Sequence, residues 1–304
     1  MSITLKHMRY AVAVADLGHF GRAAEACHVT QPALSQQILQ LEEYCGTLLF
    51  DRLGRTVRPT PFGGEFVERA RRILAGAGDL ETFALSQSGT PKRVLRFGLI
   101  PTVAPYLLPE IFPALTREHA ELRFAVSENR TDALLRGLAD GSLDLALIAS
   151  EPPPGGPRLR IAPLFTDPFV LATSAGEPAP EPVRLGGLDP QRILLLDEGH
   201  CFRDQAIAAC GLGADPAAQT FAATSLSTIV EFVANGQGVT LLPEIALRKE
   251  ATDPRIRIQK LAEPGAGRQL SLVWREATPF AGLFETISRT IRAAHVSRGG
   301  KAPA

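Results

Sequence analysis

Apolar positions recur at two different periods along this chain, and the change of period divides it. In the first part the period is helical. Leu5, Met8, Val12 and Ala15 predict a first amphipathic helix, and a short second one follows Gly18 with Phe20, Ala23, Ala24 and Cys27 on one face. Thr30 is then placed as an N-cap and Pro32 falls in the permitted first turn; Leu34, Ile38, Leu41 and Cys45 form the stripe of a third helix, which Gly46 stops. Residues 48–59 read as two short strand-like pieces around Gly54, carrying Arg52, Arg55 and Arg58. Thr60 and Pro61 open a long helix to about Ser86. Its stripe of Phe62, Phe66, Ala70, Ile73, Ala77, Leu80 and Ala84, spaced by threes and fours, calls for a partner helix and predicts a dimer.

From Val94 onward the pattern alternates between strand and helix. Residues 94–100, 122–127 and 143–148 are strand-like, with helices over 105–117 and 131–139, the second with Thr131 as N-cap. A Pro- and Gly-rich loop over 151–157 follows. A second set runs through 193–196, a helix from Cys201, 220–222, a helix over 225–235, and 239–242. Extended crossings near 161–173 and 268–274 join the sets, which predicts an α/β domain of two subdomains with a cleft between them. A last helix over 279–295 is expected to pack on the first subdomain. The predicted organisation is a DNA-reading module over 1–60, a connecting helix over 61–90, a two-subdomain α/β module over 91–297, and a flexible tail over 298–304.

Composition narrows the partners. An apolar share of 45% against 21% charged residues is that of a soluble protein with ample core. No run of eighteen apolar residues exists, so no membrane partner is expected. The apolar run over 10–15, ended by Asp16, is too short for an export signal, and four scattered cysteines suit a reducing cytoplasm. Acidic and basic residues balance at 32 each, so net charge announces no nucleic-acid partner; that case rests on a motif.

The motif is short helix, tight turn, longer helix, with Thr30, Gln31, Pro32, Ser35 and Gln36 at the start of the third helix, and hydrogen-bonding side chains of this type read base edges in a major groove. Arg52, Arg55 and Arg58 on the following hairpin suit phosphate or minor-groove contact. Any three-helix domain shows comparable periodicity, but the residues are more specific than the spacing. Phe20-Gly-Arg-Ala-Ala-Glu-Ala-Cys-His-Val-Thr-Gln-Pro-Ala-Leu-Ser-Gln-Gln-Ile-Leu-Gln-Leu-Glu-Glu, closed by Leu49-Phe-Asp-Arg and Pro59-Thr-Pro-Phe-Gly, strongly resembles the winged helix-turn-helix of LysR-type transcriptional regulators. Cys45 stands where that family usually has Leu, and it and Cys27 read as core residues. The resemblance implies a linker helix, a periplasmic-binding-protein-like sensor domain, double-stranded promoter DNA as partner, a homotetramer built as two dimers, and contact with RNA polymerase during activation.

The most chemical stretch is Asp197-Glu-Gly-His-Cys-Phe-Arg-Asp-Gln-Ala-Ile-Ala-Ala-Cys. Cys201 falls in a first helical turn, where unpaired N–H groups favour a thiolate, with Arg203 and His200 as further sources of positive charge. Cys210 lies nine residues on; along a helix that is a rise of roughly 13 Å, whereas a disulfide needs Cα atoms within about 7 Å. Bonding the two requires the helix to come apart. By themselves two such cysteines are as readily a buried hydrophobe and its inert neighbour.

Within the LysR-type family, Gly98-Leu-Ile-Pro-Thr-Val-Ala-Pro-Tyr-Leu-Leu-Pro, Glu198-Gly-His-Cys-Phe-Arg-Asp-Gln-Ala, the step to Cys210, Ala223-Thr-Ser-Leu-Ser-Thr and Gly238-Val-Thr-Leu-Leu-Pro resemble the hydrogen-peroxide sensors. That resemblance implies Cys201 as the peroxidatic and Cys210 as the resolving cysteine, joined in a redox-active disulfide. It implies Thr102, Thr131, His200 and the backbone of Gly199 and Phe202 around the peroxide, Arg268 near the thiolate, and a thiol reductant as the resetting partner. Ala104 stands where the relatives often have Gly, which places an extra methyl at the pocket mouth. Each residue has a plainer reading: Thr102 and Thr131 as helix caps, His200 as a satisfied histidine, Arg268 as a surface charge. A small organic effector in the cleft is the competing trigger. An enzyme such as a thiol peroxidase leaves the DNA-reading module unexplained, and neither a cofactor nor a metal site is expected, because no close cysteine pair occurs.

Overall fold

The computed structural model describes residues 2–53, 56–86, 93–153, 158–177, 182–212, 222–263 and 265–297. The chain divides into two compact units, the first the N-terminal ninety residues together with Ala139–Ser142, the second the rest of the α/β part.

In the first unit, α1 (Leu5–Leu17), α2 (Phe20–Ala26) and α3 (Gln31–Cys45) precede a hairpin of β1 (Phe50–Leu53) and β2 (Thr56–Pro59) and the long α4 (Pro61–Ser86). Thr4 caps α1 by accepting from the His7 backbone N–H at 3.2 Å, and the His7 ring accepts from the Thr4 N–H in return. The buried face of α1 is His7, Tyr10, Ala11 and Val14, not the Leu5 stripe expected from hydropathy. The helix is turned by about one residue, or about 100°, because His7 and Tyr10 pack inward despite their polar atoms while Leu5 is exposed. In α3, Leu34, Ile38 and Leu41 are fully buried as expected, and the buried Glu42 accepts from the Leu49 and Phe50 N–H groups, fixing the turn into the hairpin. Thr60 opens α4 by accepting from Gly63 N at 2.9 Å and donating to Leu48 O at 2.8 Å.

The second unit holds a seven-stranded sheet and a separate two-stranded one, with helices packed on them and two separate cores. β3 (Arg93–Leu99), α5 (Ala104–Glu118), β4 (Leu122–Glu128), α6 (Thr131–Asp140) and β5 (Leu145–Ile148) make a parallel β-α-β-α-β first subdomain with strand order β5-β3-β4. The sixteen-residue β6 (Leu159–Ser174) then crosses over. The second subdomain holds β7 (Leu195–Leu196), α7 (Cys201–Ala209), β8 (Ala222–Ala223), α8 (Leu226–Ala234), β9 (Thr240–Pro243), the short α9 (Leu247–Glu250) and β10 (Ile256–Lys260). β11 (Gly267–Arg275) returns beside the first half of β6 and pairs β5 on its other edge. The second half of β6 lies between β9 and β10, so one strand serves both subdomains. The last helix, α10 (Ala281–Ser297), packs Phe284, Ile287 and Ile291 into the first core, as expected. β10 has no counterpart in the sequence reading: its Ile-Arg-Ile-Gln-Lys alternation is only five residues long. The expected flexible tail over 298–304 lies outside the described residues. Among the described residues no helix is long and apolar enough to cross a membrane, and no cluster of His, Cys, Asp and Glu is placed to hold a metal ion.

Candidate redox site and DNA-reading helix

The thiol site is assembled from both subdomains. Gly199 turns the chain at φ +84°, a left-handed conformation that favours glycine, and a Cβ there would meet the Arg130 guanidinium at 2.8 Å. The turn delivers His200 as the N-cap of α7 and Cys201 as its first residue. A small cavity is lined there by Thr102, Thr131, Gly199, His200 and Cys201, together with Arg130, Ile100 and Pro101. Its free space is about that of one water-sized molecule. Five of the expected residues are therefore brought together.

Phe202 and Arg268 stand behind the cavity and do not line it. Arg268 donates through Nη1 to Thr102 Oγ1 at 2.7 Å, through Nη2 to Thr102 O at 2.9 Å, and through Nε to Asp167 Oδ2 at 3.0 Å. Its guanidinium carbon lies 5.2 Å from the centre of the Phe202 ring. The Arg268 and Asp167 side chains are both fully buried. Arg268 is thus no surface charge; it positions the Thr102 hydroxyl, whose oxygen is used as acceptor and whose proton is left to donate. Thr131 is the first residue of α6, and its buried hydroxyl has no partner in the protein. It does not cap the helix as expected: its hydroxyl makes no bond to the first turn, and the residue lines the cavity.

The charge pattern also differs from expectation. Arg203 donates to Leu196 O at 2.9 Å, closing the strand before the helix, and takes no part in the cavity. Burial and the neighbouring Arg130 charge hold the His200 ring below its ordinary pKa of 6.5, against the opposing pull of Asp197. Near neutral pH it is an uncharged imidazole, so the local cation is Arg130, which the sequence reading missed. Its one signal was its place directly before Thr131 at the start of a helix. Ala104 is not at the pocket mouth; it is buried in the first core at the start of α5, so its methyl fills packing space.

The two faces of α7 are committed to different subdomains. Phe202, Ala206 and Cys210, at four-residue steps, belong to the second core. Cys201 packs partly buried against the first core, and Gln205, one turn on, donates to Ala149 O at 2.5 Å. Cys210 is the C-cap, its N–H bonded to Ala206 O at 3.0 Å. Burial pushes its thiol up to about 11, and Glu263 adds to that. Burial likewise raises the Cys27 and Cys45 thiols, which pack on the core of the first unit.

In the first unit, Thr30, Gln31, Pro32 and Gln36 are exposed at the start of α3 and Ser35 is half-buried. Thr30 is the N-cap by backbone position, and its hydroxyl makes no capping bond. Arg58 is exposed on β2, Arg52 lies on β1, and Arg55 lies outside the described residues.

Comparison with known proteins gives two family matches: "Bacterial regulatory helix-turn-helix protein, lysR family" over residues 5–64 and "LysR substrate binding domain" over 88–294. A "Hydrogen peroxide-inducible genes activator" of Pectobacterium carotovorum is 38% identical over 293 residues, covering 95% of this chain and 96% of that protein. The "DNA-binding transcriptional dual regulator OxyR" of Escherichia coli K12 is 37% identical over 298 residues, covering 96% and 95%. Among solved structures, a full-length cysteine-to-aspartate variant of OxyR from Pseudomonas aeruginosa matches with a TM-score of 0.80 at 34% identity, covering 100% of this chain and 99% of that one. A cysteine-to-serine OxyR mutant from Corynebacterium glutamicum, hydrogen-peroxide-bound, matches at 0.64 and 30%, covering 100% and 98%.

Proposed function

The chain belongs to the LysR family of transcriptional regulators, and from that premise we propose that it is a peroxide-responsive activator in which Cys201 is the sensor. The observation that carries this reading is the cavity itself. It places a cysteine at a helix N-terminus beside two threonine hydroxyls, a neutral imidazole and a guanidinium, in a space too small for an organic effector.

The Cys201 thiolate attacks one peroxide oxygen, the O–O bond breaks, and the departing hydroxide takes up a proton as water. Cys201 becomes a sulfenic acid. Thr102 and Thr131 donate hydrogen bonds to the peroxide, Arg130 offsets the charge that develops on the departing oxygen, and His200 orients the molecule from the N-cap. The Cys210 thiol then condenses with the sulfenic acid, forming the disulfide and releasing water. On the intact helix the two sulfurs are too far apart, so this step unwinds α7 and draws Cys210 out of the second core while Cys201 remains against the first. The subdomains are thereby re-set against each other. A thiol reductant reverses the change.

DNA recognition is assigned to Thr30, Gln31, Pro32, Ser35 and Gln36 on α3, with Arg52, Arg55 and Arg58 on the wing. Two such heads are carried by a dimer, and by a tetramer as two dimers, through the exposed stripe of α4, which leaves Ile73 50% and Leu80 67% exposed. RNA polymerase is the partner at the promoter, and the setting is the cytoplasm. The test is promoter footprinting of wild type and Cys201→Ser before and after peroxide. A Cys201→Ser protein that binds DNA but keeps one footprint under both conditions supports the reading; one that shifts its footprint like wild type refutes it.

A further inference from the structure

A second polar cluster lies in the second subdomain, and the thiol chemistry makes no use of it. Side chains two residues apart on a strand share a face, as do cross-strand partners. Leu171 and Thr173 of β6 therefore share a face with Gln259 of β10, the register partner of Leu171. Thr173 and Gln259 are only 2% and 1% exposed. Yet the Thr173 hydroxyl and both amide atoms of Gln259 have no hydrogen-bond partner. Glu177, just past the end of β6, pairs one carboxylate oxygen with Arg192, while its Oε2 is buried without a partner. Each such atom destabilises the fold, and apolar residues of the same shape would avoid that loss. Four together mark a place kept for something other than stability.

Thr173 and Glu177 line a cleft; Gln259 shares the strand face of Thr173 but does not line it. Thr173, Glu177, Leu171, Val183, Leu188 and Val239 line a space of about 910 Å³, counting what is open to solvent, with Arg184 and Arg192 at its edge. None of its lining residues lines the Cys201 cavity. The available groups specify the ligand. Glu177 Oε2 is an acceptor only and requires a donor, best a cationic one. Arg184, exposed at the cleft and without an ion pair among the described residues, offers a guanidinium to an anion. The Thr173 hydroxyl can accept or donate, and the remaining walls are mostly aliphatic.

We propose that this cleft binds a free α-amino acid. Its ammonium meets Glu177 and Thr173, its carboxylate meets Arg184, and its side chain lies against Leu171, Val183 and Leu188. The regulator then carries a metabolite site besides its redox site, in the subdomain whose core holds Cys210.

The test is calorimetry and thermal denaturation of the reduced full-length protein with each proteinogenic amino acid at millimolar concentration. One or a few are expected to bind and raise the melting temperature. Thr173→Val, which keeps shape and removes the unpaired hydroxyl at the cleft wall, is expected to fold and to bind about tenfold more weakly or worse. Glu177→Gln is expected to weaken binding in a protein whose peroxide response is unchanged. Absence of binding by every amino acid overturns the proposal, as does binding that survives both variants, or equal binding of acetate, which lacks the ammonium group.

Discussion

Cys201 and Cys210 sit at opposite ends of one nine-residue helix and are packed into different cores: Cys201 against the first subdomain, Cys210 within the second. A bond between them therefore cannot form as a local event. It removes Phe202, Ala206 and Cys210 from a shared helical face and detaches Gln205 from Ala149. The helix is short, and isolated helices of that length are marginal in water, so its folded state depends on those tertiary contacts.

The buried state of Cys210 makes a pH prediction. With its thiol pushed from 9.0 up to about 11, the thiolate fraction near pH 8 is roughly a hundredfold below that of an unperturbed cysteine. Alkylation of Cys210 in native Cys201→Ser protein, followed peptide by peptide, should be slow at pH 8 and recover in urea. Glu263→Gln should move the alkylation profile toward lower pH, since the carboxylate charge opposes ionisation. Because the folded pKa is raised, the linked stability is present below pH 9.0 and is lost as pH rises through about 11.

Arg268 is predicted to matter to the fold as well as to sensing. Arg268→Met leaves the Asp167 carboxylate buried with the Ile245 N–H at 3.1 Å as its one remaining partner among the described residues. Breaking such a pair costs about 3–5 kcal/mol. Chemical denaturation should show this loss, and adding Asp167→Leu should restore part of it. The double variant should remain slow toward peroxide, because nothing then positions Thr102.

His200 should titrate below 6.5 in the reduced protein, as read from its ring signals by NMR. Burial is the larger cause, and replacing Arg130 with Ala removes the neighbouring charge that adds to it, which should raise the midpoint while slowing Cys201 oxidation. The sign for stability follows. As pH falls, the unfolded chain takes up the proton first, so the contribution of His200 is lost on acidification through 6.5.

The α4 stripe makes an assembly prediction. Ile73→Asp with Leu80→Asp, both at exposed positions, should leave the sensor domain folded but shift sedimentation toward monomer and weaken binding to a two-fold operator.

Much of this molecule was legible in the chain because its signals are local. The helix-turn-helix, the long helix from Pro61 to Ser86 and the β-α-β alternation follow from periodicity, capping residues and glycines. The cysteines, Thr102, Thr131 and His200 were legible only through their resemblance to a family, since no spacing rule brings residues a hundred positions apart to one cavity. What escaped was set by tertiary contact. Arg130 and Gln205 carry no local signature. Asp167 sits in a strand-like run, where its need for Arg268 shows only once β6 and β11 are paired. Thr131 reads as a cap by every local rule, yet its hydroxyl has no partner and the residue lines the cavity. The face of α1 was misjudged because His7 and Tyr10 are buried by neighbours that hydropathy does not see.

The most direct test of the central claim is peptide mass spectrometry of the reduced protein before and after one equivalent of hydrogen peroxide. The account predicts a single new link between Cys201 and Cys210, with Cys27 and Cys45 still free, and in Cys210→Ser protein a trappable sulfenic acid on Cys201. A Cys201 that stays reduced while the protein still changes its DNA footprint would contradict it.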